Sequence, residues 1–178
     1  MFVKRLNKNH LKDVAELEKA AYPEELCLGY EDYLEDFLKL APYENYSLGV
    51  FQNGELRAYI ISYRIDQKYY VSDLVCLNPV YLLPLLLAFG NKVRNKVLTA
   101  EFRDTSYRMM LNIMKKYPTL VEIISVEKEE GYYLNGEDMY QIRFEVKIDN
   151  LKQIPNPRLW IMREIYSAED FQVNIHNI

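Results

Sequence analysis

Lys68-Tyr69-Tyr70-Val71-Ser72-Asp73-Leu74-Val75-Cys76-Leu77-Asn78-Pro79, followed past a leucine-rich segment by Val97-Leu98-Thr99-Ala100-Glu101-Phe102-Arg103-Asp104-Thr105-Ser106-Tyr107, decides the fold. Each stretch is rich in β-branched and aromatic residues, ends at a polar turn and leads into a segment with helical patterning. Strand, helix, strand, helix is the βαβ order that sets strand C-termini beside a ligand cleft. The destination is a cofactor-type cleft.

Upstream, residues 2–6 read as a short strand, and Asn9 stands where an N-cap belongs, ahead of Leu11, Val14, Leu17 and Ala21 at helical spacing. Pro23 stops that helix. Tyr30, Tyr33, Leu34, Phe37, Leu38 and Ala41 predict a second amphipathic helix with a solvated acidic face, ended by Pro42. Residues 46–51 and 56–65 flank Asn53-Gly54, the strongest short hairpin signal, because both residues tolerate positive φ. Residues 68–77 continue the meander after an Asp66-Gln67 turn.

Downstream, Pro84 is read as opening a helix that ends at Gly90 or Asn95, since a first-position proline loses no hydrogen bond. Residues 97–102 form a strand and 106–117 a helix with Met109, Met110, Ile113 and Met114 inward. Residues 120–127 and 140–148 are the last core strands, joined by an acidic loop. The tail from Leu151 holds an apolar patch, Leu159-Trp160-Ile161-Met162, which reads as a further strand or a docked extension and as a candidate homodimer contact.

Bulk properties exclude several classes. The chain has 178 residues, enough for one well-buried core, and a formal net charge of −4, which argues against nucleic-acid binding as its main role. Sixteen tyrosines against one tryptophan supply half-buried rings with a polar end, suited to strands and pocket walls. Cys27 and Cys76 lack ligand spacing, and His10 and His176 sit near the termini, so no metal site is expected. Reduced thiols, no apolar leader in residues 1–8 and no apolar run near the ~20 residues of a bilayer span predict a cytoplasmic protein without a membrane partner.

Taken together, this order of elements resembles the GNAT N-acyltransferase superfamily. The hairpin 50–59 looks like that family's second and third strands. Val71-Ser72-Asp73-Leu74-Val75-Cys76-Leu77 with Pro79 is similar to its fourth strand, which splays from the fifth, and Ala100-Glu101-Phe102-Arg103-Asp104-Thr105-Ser106 to that fifth strand and its following turn. The resemblance implies a mixed α/β fold: a single GNAT-like domain over 1–178, with core 1–148 and a C-terminal strand or docked extension over 149–178. The expected sheet is mixed, mostly antiparallel, with about six to seven strands flanked by about four helices. The implied reaction is transfer of an acetyl group from acetyl-CoA to a small-molecule or peptide amine.

That reaction needs a base for the ammonium proton, a donor for the carbonyl oxygen and an acid for the thiolate. The resemblance places coenzyme contacts at Leu74, Val75 and Cys76, at Ser106 and at Arg103. Candidate catalytic residues are Asp73 and Glu101 as bases and Tyr107 as the acid. The family's acid is a tyrosine further along the last helix, and Ile113 stands there. Each candidate has a plainer reading: Asp73 as a turn former, Glu101 as an outward strand residue, Tyr107 as a helix-start ring, Cys76 as a small core residue. The chain departs from the family at the turn after its fourth strand. There Pro79-Val80-Tyr81-Leu82-Leu83-Pro84-Leu85-Leu86 replaces a basic, glycine-rich, pyrophosphate-binding segment. An alternative follows: a catalytically inactive GNAT-like binding module that has lost the coenzyme site.

Overall fold

The structure is a computed structural model and describes residues 1–147 apart from 25, 26, 42, 117 and 134, together with 171 and 172. In chain order the elements are β1 (Phe2–Arg5), α1 (Leu11–Ala21), α2 (Tyr30–Lys39), β2 (Glu44–Asn45), β3 (Leu48–Gln52), β4 (Glu55–Ile65), β5 (Lys68–Cys76), α3 (Pro79–Lys92), β6 (Val97–Arg103), α4 (Asp104–Lys116), β7 (Val121–Glu129), β8 (Met139–Val146) and β9 (Phe171–Gln172). The strands form one sheet in the order β7-β8-β6-β5-β4-β3-β1-β9, with β2 on β4. The count among the described residues is nine strands, two of them only two residues long, and four α-helices. All strand pairs are antiparallel except β5 with β6, which the α3 crossover makes parallel.

The hairpin forms as its dipeptide predicts. Asn53 and Gly54 adopt φ of 55° and 86°, the left-handed pair a tight β-turn requires. Asp66 and Gln67 turn the chain again at φ of 48° and 68°.

Two apolar layers cover the sheet. On one face Leu11, Val14 and Leu17 of α1 and Tyr33 of α2 pack on Phe51, Leu56, Tyr59 and Val75. On the other, Leu85, Leu87, Ala88 and Phe89 of α3 and Met114 of α4 pack on Val50, Ile60, Val71, Leu98 and Ile142. Each fully buried side chain of this size contributes about 1.5–3 kcal/mol.

Four local expectations are corrected. Asn7, not Asn9, is the cap: its Oδ1 accepts from the Asn9 amide at 3.0 Å and opens a 3₁₀ turn ahead of α1. Leu38, expected inward, is 60% exposed, and Tyr33 is the buried residue of α2. Helix α3 begins at Pro79, not Pro84, because Asn78 and Pro79 together supply a cap and a first-turn proline. Pro84 then lies inside the helix, where it removes only the bond to the Val80 carbonyl, and Gly90 lies within α3 rather than ending it. The patch 159–162 and its homodimer role lie outside the described residues.

Candidate active site

Strands β5 and β6 pair only through Tyr69 with Leu98, Tyr70 with Thr99 and Val71 with Ala100. Beyond that point they part. A cavity of about 160 Å³ opens between them, walled by Asp73 and Leu74 of β5, Glu101 and Arg103 of β6, Ser106 of α4 and Tyr22. The anticipated wedge is therefore present.

A one-residue bulge shapes it. Ile61 pairs with Asp73 but Ser62 pairs with Val71, leaving Ser72 as an extra residue in β5. Alternation reverses across it: Tyr69 and Val71 face α3 and α4, whereas Val75 faces α1 and α2. Asp73 shares that second face and meets a tyrosine cluster there. The Tyr59 hydroxyl donates to Asp73 Oδ2 at 2.5 Å and the Tyr33 hydroxyl donates to the same atom at 3.0 Å, with the two phenol oxygens 3.1 Å apart.

A second acid stands behind Tyr33. Glu18 is 6% exposed and accepts the Leu28 amide at 2.8 Å. Burial raises the Asp73 and Glu18 carboxyls above their usual range, against the pull of these donors. Two phenol protons cannot serve all three links among Tyr33, Tyr59 and Asp73, so with both phenols donating to Asp73 the contact between the two phenol oxygens carries no proton.

Tyr22 ends α1. Pro23 demands an extended residue before it, and Tyr22 complies with φ −126° and ψ 156°, turning the chain out of the helix beside the cavity. Burial, then the charge of Asp73, raises its phenol above the ordinary tyrosine range, while a hydrogen bond with Ser106 opposes the rise. The Tyr22 phenol thus stays protonated at neutral pH, in a cavity wall it shares with Ser106 of the first turn of α4.

Among the anticipated residues, Asp73, Leu74, Glu101, Arg103 and Ser106 line the cavity. Glu101 is exposed and accepts from Gln141 Nε2 at 3.3 Å. Arg103 is held from the β7–β8 loop, by Glu137 at 3.2 Å and by the Tyr133 ring 3.9 Å from its guanidinium carbon. Val75 is 1% exposed and belongs to the core. Cys76 donates its thiol to the Asn78 carbonyl at 3.0 Å, and burial raises its pKa. Tyr107 stacks on Tyr140 with ring centroids 4.0 Å apart and is not among the lining residues. Sequence reasoning missed Tyr22, Glu18, Tyr33 and Tyr59; the one available signal was Tyr22 preceding a helix-ending proline.

The cavity lies between two strand edges that lack cross-strand partners past Val71 and Ala100. The start of α3 does not fit a pyrophosphate. Pro79 has no N–H, the Val80 amide donates to Asn78 Oδ1 at 3.0 Å, and the Tyr81 amide donates to the Asn78 carbonyl at 2.9 Å. Leu77 and Val80 are 51% and 60% exposed around it. Among the described residues no group of three or more His, Cys, Asp or Glu side chains could hold a metal, and no helix is long and apolar enough to cross a membrane.

No family model and no curated protein matches the sequence. Solved structures do. The ribosomal-protein-S18-alanine N-acetyltransferase from Escherichia coli aligns with a TM-score of 0.59 at 13% identity, over 82% of this chain and 94% of its own. The ribosomal-protein-alanine N-acetyltransferase from Brucella melitensis gives 0.58 at 12%, over 82% and 99%. The diaminobutyrate acetyltransferase EctA from Paenibacillus lautus, in complex with L-2,4-diaminobutyric acid and coenzyme A, gives 0.52 at 13%, over 79% and 92%.

Proposed function

From a chain that has the GNAT acetyltransferase fold, we propose an N-acyltransferase that moves an acetyl group from acetyl-CoA or a related thioester to a small-molecule or peptide amine. The observation that carries this reading is the split of β5 from β6 beyond Val71 and Ala100, with a buried carboxyl in its wall. The donor supplies an activated acyl carbonyl; this chain supplies position and protons.

Asp73 accepts a proton from the incoming ammonium, with Tyr59 and Tyr33 fixing its Oδ2. Glu101, on the opposite wall, is the exposed alternative base. Unpaired backbone N–H groups of β5 between Asp73 and Cys76 are the donors for the carbonyl oxygen as the C–N bond forms. Tyr22 Oη, rather than Tyr107, gives a proton to sulfur as the C–S bond breaks. Two protons leave the nitrogen over the cycle: one departs through Asp73 and the other restores the Tyr22 phenol. Ser106 and Arg103 steady the donor's arm.

Thiol release from acetyl-CoA across a panel of amines, with calorimetry of coenzyme binding, tests this. Amine-dependent release that stops in the Asp73→Asn variant is the expected result. No binding of coenzyme at millimolar concentration together with no turnover of any thioester would end the reading. The closed start of α3 favours a second reading, a binding module without catalysis, which turnover of any amine removes.

A further inference from the structure

Pyrophosphate recognition at a helix start depends on free amides and the helix dipole acting together. In α3 the first three residues offer none: one is proline and the next two amides are taken by Asn78. Relaxation is resisted from the side, because the Tyr81 hydroxyl donates to Gln52 Oε1 at 2.5 Å and ties the first turn to the end of β3. No Lys or Arg lies between Lys68 and Lys92 to supply charge instead. What surrounds the helix start is apolar and open: Leu77, Val80 and Leu83 are 51%, 60% and 36% exposed. Leu77 follows the last residue of β5, the strand whose Asp73 and Leu74 wall the cavity, and Val80 and Leu83 lie in the first two turns of α3.

We propose that the acyl donor is recognised as a pantetheine-type thioester, through its arm along the unpaired edges of β5 and β6 and against Leu77, Val80 and Leu83, with no contribution from nucleotide phosphates. The inference rests on the acyl-transfer reading above. Its chemistry is shared by a free acyl-pantetheine, by acetyl-CoA bound without its nucleotide being sensed, and by a pantetheine arm on a carrier protein.

The test compares three acetyl thioesters on the full chain: acetyl-CoA, acetyl-pantetheine and acetyl carried on a holo carrier protein. Unreactive CoA and pantetheine are titrated calorimetrically alongside, with adenosine 3′,5′-bisphosphate as competitor. Values of kcat/KM for acetyl-CoA and acetyl-pantetheine within about threefold of each other, well under the contribution of one charge-assisted contact, with no competition by the bisphosphate, support the proposal. Preference for the carrier-protein thioester supports it and identifies the source. A preference of about a hundredfold or more for acetyl-CoA over acetyl-pantetheine, or competition by the bisphosphate, overturns it while leaving acyl transfer standing. No binding and no turnover with any thioester removes both. The exposed Val80→Arg variant adds a further arm, since it removes an apolar contact of the arm and sets one new charge beside the helix start: acetyl-pantetheine turnover should fall, and the acetyl-CoA to acetyl-pantetheine ratio should rise by about tenfold. An unchanged ratio would show that phosphates do not pass this helix and that the arm takes another course, which also overturns the proposal.

Discussion

Asp73 is pulled in two directions: burial favours its neutral form, and the Tyr59 and Tyr33 hydroxyls favour its carboxylate. Removing one donor therefore has a defined sign. Tyr59→Phe raises the Asp73 pKa, so the acid limb of the kcat/KM profile moves to higher pH, whereas a limb that stays in place would assign that titration to another group. Asp73→Asn lowers kcat by about 10²–10⁴. Tyr22→Phe lowers kcat with little change in donor KM, and the loss shrinks for an aryl thioester whose thiolate leaves unprotonated; equal losses on both donors would make Tyr22 merely structural. Glu18 gives a stability prediction. Its folded pKa is raised, so its stabilising contribution is complete below about pH 4 and is lost as pH rises through the raised value. Glu18→Gln should melt higher than wild type at pH 8 and no higher at pH 4, as differential scanning calorimetry would read. Asp73, Glu101, Arg103 and Ser106 could be placed beside the cavity from the sequence because each lies in the second half of β5 or β6 or just past it. Glu18, Tyr33 and Tyr59 could not, since only folding brings α1, α2 and β4 to one carboxyl.

Elements defined by local chemistry were the easiest to read. The β3–β4 hairpin follows from two residues that accept positive φ, and no distant contact competes with that choice. Helix α3 was harder, because two prolines five positions apart both suit a first turn, and the Asn78 cap decides between them. Asn78→Ala should cost about 0.5–2 kcal/mol in chemical denaturation through loss of that cap. In β3, Gly49 leaves room that its neighbours fill: a Cβ there would lie 2.7 Å from both Leu56 Cδ1 and Leu6 Cδ2. Gly49→Ala should therefore cost about 1–3 kcal/mol by overpacking, and a melting temperature equal to wild type would show that those leucines move aside freely.

Across the molecule, strand order is the least legible property, because pairing joins segments far apart in the chain. Nothing local announces that β8 sits between β7 and β6, or that Phe171 and Gln172 pair with β1. The parting of β5 and β6 makes a measurable difference in hydrogen exchange. Amides of β5 past Val71 that point toward β6 should exchange faster than those of residues 69–71, and uniform protection along β5 would mean the two strands zip together in solution. Ser72 has the widest reach of any residue here, although its side chain performs no chemistry in the reaction. Because it is the supernumerary position in β5, pairing the strand at its full length without that extra place would set Ser72 opposite Ile61, carrying Asp73 away from its phenols and pushing Leu74 among them, whereas deleting Ser72 itself would keep every pair and leave Asp73 where it is. The orientation of Asp73 is thus set by an uneven count of residues on two neighbouring strands as much as by composition, and it turns inside out only if that unevenness is absorbed elsewhere in the ladder.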